Sequence, residues 1–429
     1  MSAVPRAALG NLIAKLAIVG LGLAITVVVA RMGPTVQGAF ALFVAVESGL
    51  LTLFSGLGLW LARQVSRQVD GRAWPALPMM LGVLRAAVLL GGLAALGLLA
   101  VSWQTKTLPY SQLWLLALGA PFLLLVPTAT GLWLGEGRMW PINLAQVAAP
   151  ALVLAGLMGA SWLTTDYVGR APVVVMLLIA WVSGKAVVAL LTALVALRHA
   201  SQRDGAWTGA WLEAPSWHQD WRFVATIGVT NVISLLNYRA SLFLVERFHG
   251  LEAVGIYSVA VTVAELLWLL SSSVTVSLYA RIGHPEREVA VATTLRAVRI
   301  NVLVTLAAAP VLLAAAWWAV PWALGEAYRE SLWPLMTLLP GVAAYAAASS
   351  LSAFYTNHLG RPHLSGMIAT LSLLLSVGLG LWWVPAWGAS GAAAASSLGY
   401  IGAIGVAYAV FLKRAGLPWR AMWGRQPIA

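Results

Sequence analysis

Residues 171–197 read APVVVMLLIAWVSGKAVVALLTALVAL, and Lys185 carries the only charge among them. About 20 apolar residues, at ~1.5 Å of rise each, cross the ~30 Å hydrocarbon core of a bilayer, so this stretch is long enough to span one. Eleven further stretches qualify: 9–30, 36–62, 76–101, 110–134, 141–163, 222–245, 253–279, 297–321, 331–357, 363–385 and 389–412. The links are mostly short and marked by Gly or Pro, as at Met32-Gly33-Pro34 and Gly360-Arg361-Pro362. The run 9–30 exceeds the roughly 7–15 residues of a signal-peptide core and reads as the first span. No period-2 alternation of the β-barrel kind occurs.

Composition agrees. Of 429 residues 61% are hydrophobic and 9% charged, where a soluble chain carries roughly 25% charged residues. Such a chain cannot cover a water-facing surface, which excludes a soluble enzyme, a disordered protein and a nucleic-acid binder. There are no cysteines, so disulfides and thiolate metal sites are excluded too. Metalloprotease, Walker and Gly-x-Ser-x-Gly motifs are missing, so neither an enzyme, a metal site nor an organic cofactor is expected.

The net charge of +12 is a matter of topology. With the N-terminus inside, inner segments hold seventeen Lys and Arg, from Arg6 to Arg425, against five outside: Arg31, Lys106, Arg170, Arg247 and Arg329. The positive-inside rule places both termini in the cytoplasm.

An internal repeat divides the chain. Ala30-Arg31-Met32-Gly33 precedes Gly38-Ala39-Phe40, and Glu246-Arg247-Phe248-His249-Gly250 precedes Gly255-Ile256-Tyr257. Six spans is an even number, so both halves begin from the same side, a parallel repeat of the kind used by alternating-access transporters. The expected fold is an all-α polytopic membrane protein of twelve transmembrane helices in two six-helix bundles, 1–197 and 222–412. A linker, 198–221, and a tail, 413–429, are expected to be cytoplasmic. Trp207, Trp211, Trp217 and Trp221 suit a linker lying on lipid headgroups, and Trp419 to Arg425 reads the same way.

These motifs resemble those of the polysaccharide (O-antigen type) flippases, whose superfamily also holds multidrug exporters and the peptidoglycan lipid flippase. The resemblance rests on Ala30 to Pro34 with Gly38 to Leu42, on Gly135-Glu136-Gly137-Arg138, on Gly255 to Ala260, and on Ala264-Glu265-Leu266-Leu267-Trp268. With the six-plus-six layout it covers essentially the whole chain. It implies a bacterial inner-membrane protein that exports an undecaprenyl-diphosphate-linked oligosaccharide, with H+ or Na+ as coupling ion. Membrane lipids, and a polysaccharide polymerase or chain-length regulator, are the partners it implies.

Six ionisable residues fall inside spans: Lys15, Glu47, Arg85, Lys185, Arg239 and Glu265. A charge at the bilayer centre costs at least ~2.5–3.5 kcal/mol on insertion scales, so each invites a functional reading, with snorkelling or ion pairing as the alternative. Arg85 and Lys185 lie ~14 and ~18 Å from the nearer end of their spans. Lys15 shares a helix face with Asn11, Gly22 and Thr26. These three cations are the candidates for meeting a diphosphate. In span seven Thr226, Thr230, Ser234, Asn237 and Ser241 form one polar stripe. Thr230, Asn231, Ser234 and Asn237 are the candidates for sugar hydroxyls. Arg239 points away from that stripe and reads as a snorkelling or helix-pairing residue.

Glu265 shares its face with Ser258, Thr262, Ser272 and Tyr279, and is the first candidate for ion coupling. Glu47, the second, shares its face with Phe40, Val44, Leu51, Phe54 and Gly58, which favours a structural pair with Lys15 or Arg85. Gly20, Gly22, Gly56 and Gly58 read as packing residues, and so does the seam Gly391, Ala395, Gly399. His358 and His363 are expected to be solvated.

Two rival functions stand beside the flippase. A multidrug or cation antiporter of the same superfamily would favour an acidic cleft, whereas four of the six deep charges are basic. A membrane-embedded glycan polymerase or ligase would need a large outer loop, and every outer link here is short. A scaffold would not need deep charges at all.

Overall fold

The computed structural model describes residues 4–67, 75–163, 170–204 and 216–418. Arg72, Trp207, Trp211 and the tail residues Trp419 to Arg425 lie outside the described residues. The helices are α1 Val4–Ala30, α2 Pro34–Leu53, α3 Gly56–Ser66, α4 Ala76–Gln104, α5 Leu113–Leu123, α6 Leu125–Gly135, α7 Met139–Leu163 and α8 Arg170–Asp204. They continue as α9 Trp221–Glu265, α10 Leu267–Ile282, α11 Arg287–Leu324, α12 Leu332–Tyr345, α13 Ala348–Ala353 and α14 Pro362–Ala415.

Ten apolar helical stretches among the described residues are long enough to cross a membrane. Two of them are hairpins of two spans. Gly250 (φ 76°) interrupts α9 and Gly388 (φ 53°) interrupts α14, in backbone conformations that L side chains avoid. Across the first break Tyr257 Oη donates to Ser241 Oγ at 3.1 Å. Across the second, a Cβ on Gly399 would fall 2.1 Å from Ser376 Oγ, and one on Gly391 would fall 2.5 Å from the Trp383 carbonyl oxygen. Counting each hairpin as two gives the twelve crossings that the hydropathy predicts.

Several spans are interrupted. Span four breaks at Leu124, three residues before Pro127, and span ten breaks at Ala346 without a proline in the following turn. Proline removes a helical N–H and crowds the preceding turn. Span two breaks between Leu53 and Gly56, where Ser55 Oγ donates to the Thr52 carbonyl at 2.7 Å. The helix of span six continues through Asp204, so the first seven residues of the expected linker are helical.

The chain packs as two compact units, Met1–Val29 with Leu42–Val232, and Ala30–Ala41 with Ile233–Ala429. The core of the first unit holds Trp60, Leu61, Met80, Val83, Leu132 and Trp133. Spans two and four cross there on small residues. A Cβ on Gly58 would fall 1.9 Å from the Pro127 carbonyl oxygen, and one on Gly131 would fall 2.2 Å from the Gly58 carbonyl oxygen. Lipid gives helices no hydrophobic reason to associate, so close backbone contact supplies the attraction instead. Gly20 and Gly22, expected to pack, face open space. Among the described residues nothing lies within 4 Å of where their Cβ atoms would stand.

Trp103, Trp318, Trp322, Trp333, Trp382 and Trp387 are all exposed and stand at span ends opposite the arginine-rich links. That is the position of an interfacial aromatic belt.

Candidate functional site

In the first unit the deepest charges of spans two and six meet. Lys185 Nζ donates to Glu47 Oε1 at 2.8 Å and lies 4.0 Å over the Trp181 ring. The Trp181 indole N–H donates to the other carboxylate oxygen, Oε2, at 2.5 Å. The Glu47 partner is thus Lys185, and neither Lys15 nor Arg85 takes that place; helical phase gives a side chain's direction but not which helix lies across from it.

This pair lines a cavity of about 540 Å³. Its walls are mainly apolar, from Leu51, Leu59, Leu123, Val126, Met139 and Ile142, with Ser55, Thr130 and Gln146 as polar points. On span two its lining runs from Glu47 past the helix break to Leu59. The Glu47 side chain is 0% exposed and that of Lys185 is 23% exposed. Both members of the pair line the cavity, and of the two the ammonium group is the more exposed.

The second unit has its own pair. Arg239 holds Glu265 with both guanidinium nitrogens, at 3.0 and 3.2 Å, a bidentate ion pair between spans seven and eight. Arg239 therefore serves as a helix-pairing residue. Around the pair lie Tyr238, Tyr257, Trp268 and Tyr400, whose side chains line one small pocket together with Glu265. Asn237 donates its amide to Tyr345 Oη at 3.2 Å, and Tyr345 lies 4.7 Å from Tyr400, centroid to centroid. These aromatics escaped sequence reading because aromatic residues in apolar helices look like ordinary core.

The remaining predicted residues stand apart. Lys15 is exposed on α1, and Asn143 donates to its stripe neighbour Asn11 at 2.5 Å. Arg85 is exposed on the face of α4 that also carries Val88, Leu89 and Leu93. The polar stripe of span seven is divided between the two units, Thr230 and Asn231 in the first, Ser234 and Asn237 in the second. Asn231 donates to Ser55 Oγ at 3.0 Å, and Thr230, which is exposed, donates to the Thr226 carbonyl at 2.8 Å. Among the described residues no cluster of three or more His, Asp or Glu suits a metal ion.

The Gly-x-Gly-Arg motif builds a charged latch between the end of span four and span six. Glu136 accepts from Arg203 Nη1 at 3.0 Å and lies 2.9 Å from His199 Nε2. Gly135 sits where a Cβ would fall 2.7 Å from the Ala62 carbonyl oxygen, and Gly137 has φ 71°. Both glycines are thus required by geometry. His358, expected to be solvated, has its Nδ1 2.8 Å from the His284 carbonyl oxygen and stacks on Phe354. A turn at the end of span ten folds it inward.

Twelve apolar spans with charge pairs between them and small-residue crossings define a polytopic α-helical membrane protein. Its fold is that of the MOP superfamily transporters. An inward-facing multidrug resistance MATE family transporter of that superfamily superposes with TM-score 0.75 at 18% identity, over 92% of this chain and 94% of that chain. The lipid II flippase MurJ, in an inward closed conformation, gives 0.73 at 14% identity, over 96% and 88%. A MOP superfamily transporter from Pyrococcus furiosus gives 0.64 at 17%, over 97% and 95%. No protein-family model and no curated protein matches the chain by sequence.

Proposed function

We propose that this protein flips an undecaprenyl-diphosphate-linked oligosaccharide from the cytoplasmic to the outer leaflet of a bacterial inner membrane, by alternating access coupled to H+ or Na+. One observation carries the reading. Both deep carboxylates are neutralised by a deep cation, and of the pair that lines the cavity Lys185 is the more exposed member. Lys15 and Arg85 add positive charge with no ion-pair partner among the described residues. An anionic head with an apolar tail suits such a surface, because ammonium and guanidinium groups replace the water that a diphosphate loses.

In this reading Lys185 and Lys15 meet the diphosphate, and Arg85 is held nearer the lipid. Thr230 is the member of its stripe best placed for a sugar hydroxyl. Asn231, Ser234 and Asn237 shape the helix crossings behind it. Protonation of Glu47 or Glu265 would release its cation, and these are the two points at which a coupling ion would act. The fold itself does not set the polarity of the substrate. In the Pyrococcus furiosus transporter, a protein of this same fold, a reverse polarity of the binding pocket suggests a different function.

The test is the sidedness of lipid-linked oligosaccharide in inner membranes with and without the gene. Accumulation in the cytoplasmic leaflet on deletion, reversed by wild type but not by the paired substitution Glu47→Gln with Lys185→Gln, is the expected result. Unchanged lipid-linked sugars would overturn it. A second reading, efflux of small amphipathic molecules, has in its favour the largely apolar walls of the 540 Å³ cavity. Drug resistance lost on deletion, with normal lipid-linked sugars, would establish that reading instead.

A further inference from the structure

At the arginine-rich end of the second unit, span ten does not finish as an α-helix. Phe354–His358 form a π turn, and this turn leaves Thr356 and Asn357 exposed. A π turn is rare and is frequent at functional sites.

Three contacts press the turn onto the end of α10. Tyr279 Oη donates to Asn357 Oδ1 at 3.3 Å, and His358 Nδ1 lies 2.8 Å from the His284 carbonyl oxygen. The third is at Gly283, where a Cβ would come within 3.1 Å of the Asn357 Cβ, so that only a glycine allows this approach without displacement. Beneath the contact a buried polar knot ties the same spans together. Asn301 donates to Thr275 Oγ1 at 3.0 Å and to Ser350 Oγ at 2.9 Å.

The result is a neutral polar face. Tyr279 is 50% exposed. Asn357 accepts from the phenol, and its amide nitrogen has no partner among the described residues. Thr356 adds a hydroxyl 3.2 Å from Ser365 Oγ. An aromatic face beside a free amide and a hydroxyl is the chemistry that recognises a sugar. The C–H face of the sugar stacks on the aromatic ring, and its hydroxyls exchange hydrogen bonds with the amide and alcohol. A phosphate would instead demand charge, and none of these three side chains carries one; the nearest cations in sequence are the exposed Arg281, two residues after Tyr279, and Arg361, four after Asn357.

We propose that Tyr279 and Asn357 form a carbohydrate-reading face that meets the glycan head of the substrate, separately from the cations that meet its diphosphate. This rests on the flippase reading and gives that substrate a second point of recognition.

The experiment uses the full chain in lipid nanodiscs and two probes, undecaprenyl diphosphate alone and undecaprenyl diphosphate carrying one N-acetylhexosamine. The wild type should bind the glycosylated probe more tightly. Asn357→Ala and Tyr279→Ala should each weaken that probe about tenfold, the worth of a hydrogen bond or a ring contact. Binding of the bare diphosphate should not change, which also reports that the variants are folded. Tyr279→Phe should keep most of the preference, because the ring remains. If the wild type prefers the glycosylated probe and the variants bind both probes as it does, the face is overturned and the flippase reading stands. If the variants lose both probes equally, the face is a structural element and the proposal fails. If the wild type binds neither probe, the flippase reading fails and takes the proposal with it.

Discussion

Gly38 and Gly255 are in reciprocal contact. A Cβ on Gly38 would fall 1.9 Å from the carbonyl oxygen of Leu251, and a Cβ on Gly255 would fall 1.9 Å from the carbonyl oxygen of Pro34. In each case the oxygen belongs to the residue four positions before the opposite glycine. The two motifs that mark the sequence repeat thus meet each other through a local two-fold relationship. Gln37 adds a hydrogen bond across the same crossing, donating to Ser258 Oγ at 3.2 Å.

Gly38→Ala and Gly255→Ala should each force two backbones apart. Overpacking of this kind costs about 1–3 kcal/mol. Gly97, within α4, has open space where an alanine methyl would stand, with nothing within 4 Å, so Gly97→Ala is the matched control and should be neutral or slightly stabilising. Thermal unfolding in detergent would compare the three. Equal melting temperatures for Gly38→Ala and Gly97→Ala would refute the crossing.

The buried pair in the first unit predicts non-additive mutations. Lys185→Met strands a carboxylate that is 0% exposed, and breaking a buried pair from one side costs about 3–5 kcal/mol. Adding Glu47→Gln removes the stranded charge while keeping an acceptor for the Trp181 indole N–H. The double variant should therefore recover most of the loss. Denaturation of the single and double variants measures the coupling, and additive losses would mean that the two side chains do not interact.

How much of this was legible beforehand depends on the kind of information involved. The spans are readable because length and apolarity are local, and the bilayer imposes both. The partners of the deep charges are not, because Glu47 and Lys185 are 138 positions apart and helical phase does not name the opposing helix. Phase is a partial guide too: it turns Arg239 away from the polar stripe of span seven, yet its partner Glu265 lines a pocket together with Ser241 of that stripe. Gly56 and Gly58 pack closely while Gly20 and Gly22 do not, although both sets read alike. The difference lies in which backbones come near, a property of the assembled bundle. The π turn at Phe354 has no periodic signature either.

The latch at Glu136 separates charge from backbone geometry. Glu136→Gln weakens the attraction of Arg203 and His199 at once, whereas Gly137→Ala strains only a left-handed residue, at about 1–2 kcal/mol. The glycine variant should lower the melting temperature equally at low and high salt. The Glu136→Gln loss should shrink as salt rises, since screening already weakens the pairs in the wild type. A salt-independent loss in Glu136→Gln would argue that the carboxylate acts by packing alone.

The repeat predicts that Arg31 and Arg247 are equivalent, and the structure distinguishes them. Arg31 donates from Nε to the Ala323 carbonyl at 2.7 Å and from Nη2 to the Trp322 carbonyl at 3.0 Å. These oxygens belong to the last turn of α11, where carbonyls have no helical partner and the helix dipole favours a cation. Tyr328 strengthens the same junction by donating to the Ala30 carbonyl at 3.0 Å. Arg247 is exposed and makes no such bond among the described residues. Arg31→Ala should therefore destabilise by about 1 kcal/mol, the upper range for an exposed cation at a helix end. Arg31→Lys should recover only part, since one ammonium cannot reproduce the guanidinium fork. Arg247→Ala should leave the melting temperature unchanged. Equal losses for Arg31→Ala and Arg247→Ala would mean that the repeated arginine serves membrane topology in both halves and that the helix cap contributes nothing measurable.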